Sequence, residues 1–433
     1  MDNDERKPDG EPRLDAEQDA VAAEDTSSAT DGDWKPSPFP RPRTEPEPEP
    51  VVPARRGPRA AKLTRRIALG LVSLLALGAT AYGYVTMGRL QRNVPTTDAL
   101  SRPEDPAAPP ADDGATDILL VGSDARTDAQ GNQLPLRVLK ELRTEATAGS
   151  VNTDTIMVVR IPKNGGKASG ISIPRDTWVD IPGRGKGKIN SAYGVAKARF
   201  AAEQRARGER DQAKIERDSD TEGRRVLVQT VQDLTQLRID HYAEVNLLGF
   251  YLLTEALGGV KVCLNHATED KDSGASFRRG VQTVSGGEAL SFVRQRKNLP
   301  RGDLDRIVRQ QAFLTSALHQ VLSAGTLANP STMSGLIDAA HRAIVLDDGL
   351  DLLQFVQQVK GIASGDLAFT TIPVITSNGT SEDGQSIVAI DPAAVRKFVA
   401  ELAGRGAAPP SGGGGATGAA PRVAAADDVR CVD

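Results

Sequence analysis

The chain is 433 residues long and poor in the side chains that most often carry soluble catalysis, with two cysteines and four histidines. Cys263 and Cys431 stand far apart with no Cys-x-x-Cys spacing, and His241, His266, His319 and His341 are scattered. That pattern excludes a structural zinc site. No order of Ser, His and Asp suggests a hydrolytic triad. Aromatic residues make up only 4 % of the chain, and the net charge is a mild −4. With neither a basic tail nor an aromatic-rich patch, nucleic acid is not an expected partner. What the chain does have is proline near its start, glycine near its end and 25 % charged residues.

The first block, 1–60, is dense in Asp, Glu, Pro and Arg and includes the run EPEPEPVVP. A segment of this kind buries too little apolar surface to offset its chain entropy and reads as a disordered arm. It is followed by 67–85, IALGLVSLLALGATAYGYV, nineteen residues without a charge. At ~1.5 Å per residue this stretch reaches ~28 Å, enough to cross the hydrocarbon core of a bilayer. Arg55, Arg56, Arg59, Lys62, Arg65 and Arg66 precede it, against Arg89 and Arg92 after it. The excess of positive charge assigns the N-terminal side to the cytoplasm, so 67–85 reads as a single-pass anchor with the rest of the chain extracytoplasmic. Residues 86–115 read as a Pro-, Asp- and Ala-rich stalk. Residues 116–404 read as one α/β domain, and 405–433 as a flexible Gly/Ala tail. On the exported side Cys263 and Cys431 are candidates for a disulfide.

Within the domain, Asp117–Asp124, Thr155–Ile161 and Ala168–Ile173 are short apolar runs with long connections between them, as expected of strands covered on both faces. The charged stretch 196–225 reads as a solvent-exposed helix or loop. His241–Leu247 and Val260–Leu264 read as strands, and 248–259, 349–362 and 392–403 as helices. Asp124 ends the first strand and Asp154 opens the second, at positions where open sheets place ligands. Two carboxylates with no nearby His or Cys are hard oxygen donors, suited to magnesium rather than zinc. Asp128, four residues on, reads equally well as a turn former. In SIPRDT, Pro174 fixes the backbone, so Arg175 emerges from the strand at a defined point.

The densest charge lies in Phe292–Gln311, FVRQRKNLPRGDLDRIVRQQ, with five arginines and one lysine against two aspartates. Read as the end of a strand or turn, its first part puts Arg294 and Arg296 on one face. Gly302 breaks the chain and Asp303 is placed to cap a helix from about Leu304. Leu304, Ile307, Val308, Ala312 and Leu314 follow helical spacing and are expected in the core, with Arg306, Arg309 and Gln310 on another face. Guanidinium forks converging with Arg175, and Lys188 as a further point charge, suit a multiply charged phosphate. The plainer alternative for such a run is a solvated charged face.

The ordered set DILLVGSD, NTDTIMVVRIP, SIPRDTWVDIPG, KINSAYG and FVRQRKNLPRGDLDRIVRQQ resembles the LytR-CpsA-Psr family over roughly 116–404. The resemblance implies a three-layer α/β/α domain with a mixed central sheet and a deep apolar tunnel for a polyprenyl chain. It implies transfer of an anionic glycopolymer from a polyprenyl-pyrophosphate carrier onto peptidoglycan, with Mg2+ as cofactor. A polyprenyl-pyrophosphate pyrophosphatase and a non-catalytic carrier-binding or regulatory protein are the alternatives. Carried over by motif, Asp124 and Asp154 match the metal-linked aspartates. Arg175, Arg294, Arg296, Asp303 and Arg306 match the catalytic set. Arg175, Lys188, Arg294, Arg296, Arg309 and Gln310 match the pyrophosphate ligands. Either Asp154 or Asp303 would serve as the base for the acceptor hydroxyl. The polar stretch 196–225 departs from the family pattern, which bears on acceptor or polymer contacts.

Overall fold

A computed structural model describes residues 94–100, 109, 113–142, 144, 151–164, 166–350, 368–404 and 429–433. The expected arm 1–60 and span 67–85 lie outside the described residues, as do most of the tail and all but the first two residues of the helix expected at 349–362. Among the described residues no helix is long and apolar enough to cross a membrane.

The strands are β1 (Thr96–Thr97), β2 (Ala115–Ser123), β3 (Thr153–Pro162), β4 (Ser169–Ser172), β5 (Trp178–Ile181), β6 (Gly185–Lys188), β7 (His241–Asn246) and β8 (Val260–Leu264). They continue with β9 (Thr268–Asp270), β10 (Ala275–Phe277), β11 (Gly280–Val284), β12 (Ile344–Asp347), β13 (Ala368–Thr371), β14 (Thr376–Thr380), β15 (Ser386–Ala389) and β16 (Cys431–Val432). The helices are α1 (Leu136–Glu141), α2 (Ser191–Ala206), α3 (Gln212–Thr235), α4 (Leu247–Ala256), α5 (Gly286–Arg294), α6 (Asp303–Val321), α7 (Ala324–Leu327), α8 (Pro330–Ala343) and α9 (Pro392–Leu402).

Seven strands form the central sheet in the order β1-β12-β7-β2-β3-β4-β13. It is mixed: β2 runs parallel to β7 and antiparallel to β3, while β13 runs parallel to β4. The period-two alternation of strand side chains divides the apolar runs between two layers. Leu119, Val121, Ile156, Val158 and Tyr242 pack with residues of α2, α3 and α9 in the largest core. Leu120, Met157, Val159, Ala243 and Val245 face the opposite side, toward a cavity also lined from α4, α6 and α8. A second core beside the cavity gathers Phe277, Phe292 and Phe313, with Phe250 and Phe313 ring centroids 5.0 Å apart.

The disulfide expected between Cys263 and Cys431 is present, while the stalk, the tail and the charged stretch 196–225 each depart in part from expectation. The stalk 86–115 contributes β1 to the central sheet, pairing with β12. The end of the tail is ordered: β16 pairs in parallel with β8, and Cys431 is disulfide-bonded to Cys263. The charged stretch 196–225 is helical with an exposed outer face, as expected, but its inner face carries buried charges. It builds parts of α2 and α3, and Lys197, Asp220 and Arg224 in it are each only 8 % exposed. These charges are buried because each has an opposite partner, with Lys197 Nζ 2.7 Å from Asp220 and Arg224 Nε 2.7 Å from Glu244.

Candidate active site at the mouth of an apolar cavity

The two aspartates are brought together by a flaw in the β2–β3 ladder. Gly122 pairs with Thr155 but Ser123 pairs with Thr153, so Asp154 is the extra residue of a bulge. A bulge re-aims a side chain, and Asp154 joins Thr155 on the cavity wall rather than alternating to the other face. Asp124, one residue past β2, donates its N–H to the Asn152 carbonyl at 3.0 Å and accepts from the Asn152 N–H at 2.6 Å. Gly122 permits the close approach, since a Cβ there would sit 3.0 Å from Thr155 Cβ.

Arg175 follows β4 through Pro174, and its loop is tied down from β6. Ile189 N–H donates to the Thr177 carbonyl and Asn190 N–H to the Arg175 carbonyl. So positioned, Arg175 places Nη1 2.5 Å from Asp154 Oδ1 and Nε 3.7 Å from Asp303 Oδ1. Lys188 does not reach the same carboxylate; its Nζ lies 3.2 Å from Asp176, itself a partner of Arg175.

The stretch read as a strand end is helical. Phe292, Val293 and Arg294 close α5, and Gln295 leaves it in an extended conformation. Arg294 and Arg296 therefore do not share a strand face. Arg294 turns inward, donating from Nη1 to the Leu142 carbonyl at 3.1 Å, while Arg296 is exposed on the loop. Asp303 does not cap α6. It is the first residue of that helix, behind Gly302 at φ 55°, and its carboxylate meets Arg306 Nη2 at 2.9 Å. Of the apolar residues expected in the core along α6, Ile307 is buried and Leu304, Val308, Ala312 and Leu314 are half-buried, while the polar Arg306, Arg309, Gln310 and Gln311 are all under 10 % exposed. Arg306 and Gln310 line the cavity, with Gln310 Nε2 donating to the Val293 carbonyl. Arg309 is engaged elsewhere. Its Nε donates to the Asp433 carbonyl and its Nη1 to Gln295 Oε1 at 2.7 Å, and burial lowers its pKa to about 10.

The cavity holds about 490 Å³ and is walled almost wholly by apolar side chains, from Val94 and Leu346 to Leu253 and Phe313. Its polar groups are concentrated at Asp124, Asp154, Arg294 and Arg306. Burial pushes the guanidinium pKa values of Arg294 and Arg306 below their ordinary value. Burial also opposes the charge of Asp154, yet Arg175, Arg306 and Arg294 hold it below the usual carboxylate range. Asp124 moves the other way, raised by burial and by the neighbouring charge of Asp154. Arg306 Nε and Nη2, Arg175 Nε and both Asp303 oxygens are buried without a hydrogen bond. Such atoms are expensive to leave alone, and the arginine nitrogens among them are donors suited to an oxygen-rich anionic ligand.

Among the described residues no cluster of three or more His, Cys, Asp or Glu could hold a metal by itself. A pair of carboxylates that raises one member's pKa nevertheless fits Mg2+, which takes one or two protein carboxylates and completes its shell with phosphate oxygens and water. Three contributors were missed in the sequence. Arg126 is near enough to influence both Asp124 and Arg294, Asp176 links Arg175 to Lys188, and Gln311 Nε2 donates to Ser172 Oγ at 2.8 Å. Arg126 sits two residues after Asp124, and that proximity is the signal that could have found it.

The chain matches the LytR_cpsA_psr family model over residues 83–404. It is 46 % identical over 339 residues to the cell wall biosynthesis protein LcpA of Corynebacterium glutamicum, an alignment covering 78 % of this chain and 65 % of that protein. It is 31 % identical over 242 residues to the polyisoprenyl-teichoic acid–peptidoglycan teichoic acid transferase TagU of Oceanobacillus iheyensis, covering 55 % of this chain and 61 % of that one. The chain thus spans less than two thirds of the length of these curated relatives. A solved structure of a Streptococcus agalactiae protein shares the fold, with a TM-score of 0.50 and 19 % identity over 69 % of this chain and 90 % of that one. With a matched region that takes in both carboxylates, the arginines and the cavity, the chain belongs to the LytR-CpsA-Psr family.

Proposed function

We propose that the protein is a membrane-anchored phosphotransferase that moves an anionic glycopolymer from a polyprenyl-pyrophosphate carrier onto peptidoglycan. The observation that carries this reading is the juxtaposition of one long apolar cavity with buried, unsatisfied guanidinium groups at its polar end. A polyprenyl chain fills the cavity, which leaves the carrier's diphosphate beside Arg175, Arg294 and Arg306. Mg2+ at Asp124 and Asp154 would neutralise charge on the diphosphate oxygens. The relatives' names, with their teichoic acid donor and peptidoglycan acceptor, support the same classes of substrate here, and the apolar segment 67–85 supports the anchor.

Phosphoryl transfer asks the protein for alignment and charge neutralisation more than for covalent chemistry. Arg306 and Arg294 bind the diphosphate, and Arg175 orients Asp154 while adding charge of its own. An acceptor sugar hydroxyl attacks the phosphorus nearer the polymer. A P–O bond forms to the acceptor, the P–O bond to the bridging oxygen breaks, and polyprenyl monophosphate leaves with that oxygen. Either Asp154, hydrogen-bonded to Arg175, or Asp303, ion-paired with Arg306, takes the hydroxyl proton.

The test uses purified lipid-linked glycopolymer, Mg2+ and peptidoglycan oligomers with the full chain in detergent. Conjugate is the expected product. Polyprenyl monophosphate and free glycopolymer phosphate without conjugate would replace the transferase with a pyrophosphatase, and bound but unchanged donor would make the protein a carrier-binding one. Ala317→Trp narrows the cavity wall. It should weaken the fit of a long polyprenyl donor by about ten-fold, the scale of ~1.4 kcal/mol, and spare a geranyl analogue. Equal loss for both donors would refute the cavity as the lipid site.

A further inference from the structure

On the face of the central sheet opposite the cavity, α3 covers a buried charged network. Arg224 Nε donates to Glu244 Oε2 at 2.7 Å, and Tyr242 OH donates to the same oxygen at 2.9 Å. The other oxygen, Glu244 Oε1, accepts from Ser123 Oγ at 2.7 Å. Glu244 and Ser123 are each 3 % exposed. Burying a carboxylate and a guanidinium under a helix is unfavourable unless both are well paired, and here an apolar contact would have served packing equally well. The network's position gives it another use. Ser123 is the last residue of β2, it precedes Asp124, and it pairs with Thr153 beside the bulged Asp154. The strand end is paired with Thr153 and Asn246 in the sheet, and Asp124 is tied to Asn152 as described above. On the far side its tie is the hydroxyl bond to Glu244.

We propose that Glu244, braced by Arg224, is a positioning residue that clamps Ser123 and thereby fixes the spacing of Asp124 and Asp154. This rests on reading those two aspartates as ligands of a divalent cation. The clamp links the charged helix α3 to the mouth of the cavity through the sheet, without touching any ligand itself.

The test is an electron paramagnetic resonance titration of Mn2+ with the full chain in detergent, in the millimolar range. The variants are Asp124→Asn, Ser123→Ala, Ser123→Thr and Tyr242→Phe. Asp124→Asn should abolish binding. Ser123→Ala should weaken it about ten-fold, the low end of what residues supporting a metal ligand contribute, and Ser123→Thr, which keeps the hydroxyl, should recover most of it. Tyr242→Phe removes a hydrogen bond from the same carboxylate but keeps the Ser123 link, and should stay within about two-fold. A purely structural network would respond alike to Ser123→Ala and Tyr242→Phe, and that result would overturn the proposal. So would wild-type Mn2+ affinity in Ser123→Ala while Asp124→Asn has lost it. Unchanged binding in Asp124→Asn, or no binding by the wild-type chain, would instead overturn the cation reading and the clamp with it.

Discussion

Replacing Arg306 by methionine separates the demands of folding from those of binding. Arg306 is 2 % exposed, and its Nε and Nη2 lack hydrogen-bond partners despite the contact with Asp303. Each buried, unsatisfied donor costs roughly 1–3 kcal/mol, while methionine keeps the apolar stem and discards the charge. Removing one partner of a buried ion pair normally costs about 3–5 kcal/mol, because the other charge is stranded. Asp303 is not stranded here: its side chain is 19 % exposed and Arg175 Nε remains 3.7 Å away. The terms nearly cancel, so Arg306→Met should change stability by at most about 2 kcal/mol and is as apt to raise it as lower it. Binding should suffer far more. Two hydrogen bonds to a charged diphosphate at about 1.5–3 kcal/mol each give a loss of roughly 10²- to 10⁴-fold in affinity. Calorimetric titration of the full chain with geranylgeranyl pyrophosphate and Mg2+ reads the second quantity, and thermal unfolding reads the first. A fall in Tm above about 6 °C, the scale of ~3 kcal/mol in a domain of this size, with affinity intact would show that Arg306 is a structural cation and refute the reasoning.

Two further predictions follow from buried groups away from the cavity. The Cys263–Cys431 disulfide joins residues 168 apart in sequence, and loop-closure entropy for such a separation is worth about 5 kcal/mol. Cys431→Ser should therefore lower the urea midpoint markedly, and a midpoint equal to that of the oxidised wild type would contradict this. Asp117 is 1 % exposed and its pKa is raised to about 7, chiefly by burial, although Arg160 lies 2.5 Å away and pulls the other way. Because its folded pKa lies above its unfolded one, its contribution to stability is full below about pH 4 and is lost as pH rises through about 7. Asp117→Asn, which cannot ionise, should therefore gain on the wild type across that window by up to about 1.4 kcal/mol per pH unit. Parallel pH–stability curves for the two proteins would rule it out.

The strands of the central sheet were legible in the sequence because their apolar runs are short, branched and bounded by turn residues. The runs Asp117–Asp124 and Thr155–Ile161 became β2 and β3 with their ends displaced by one or two residues. The arginine-rich stretch was legible as a charged segment but not in its geometry. Phe292 and Val293 match a strand or a helix end equally well, and only the packing of Phe292 against Phe277 and Phe313 decides for the helix. The burial of Lys197, Asp220 and Arg224 within 196–225 was illegible for a related reason. Charge reads as exposure unless the partner is known, and Glu244 lies 20 residues from Arg224 in sequence.

By itself the order of residues determined the apolar and charged periodicities, the fold class and most of the residues around the site, because these depend on local pattern and on side-chain chemistry. Tertiary structure alone decided which charges converge. The bulge at Asp154 turns that carboxylate to the cavity face, and the rotation of α6 sends Arg306 inward while committing Arg309 to Asp433 and Gln295. Neighbouring residues of one helix thus part company because Arg309 finds partners far away in sequence, Gln295 and Asp433, while Arg306 faces the cavity, and only the folded chain sets those distances.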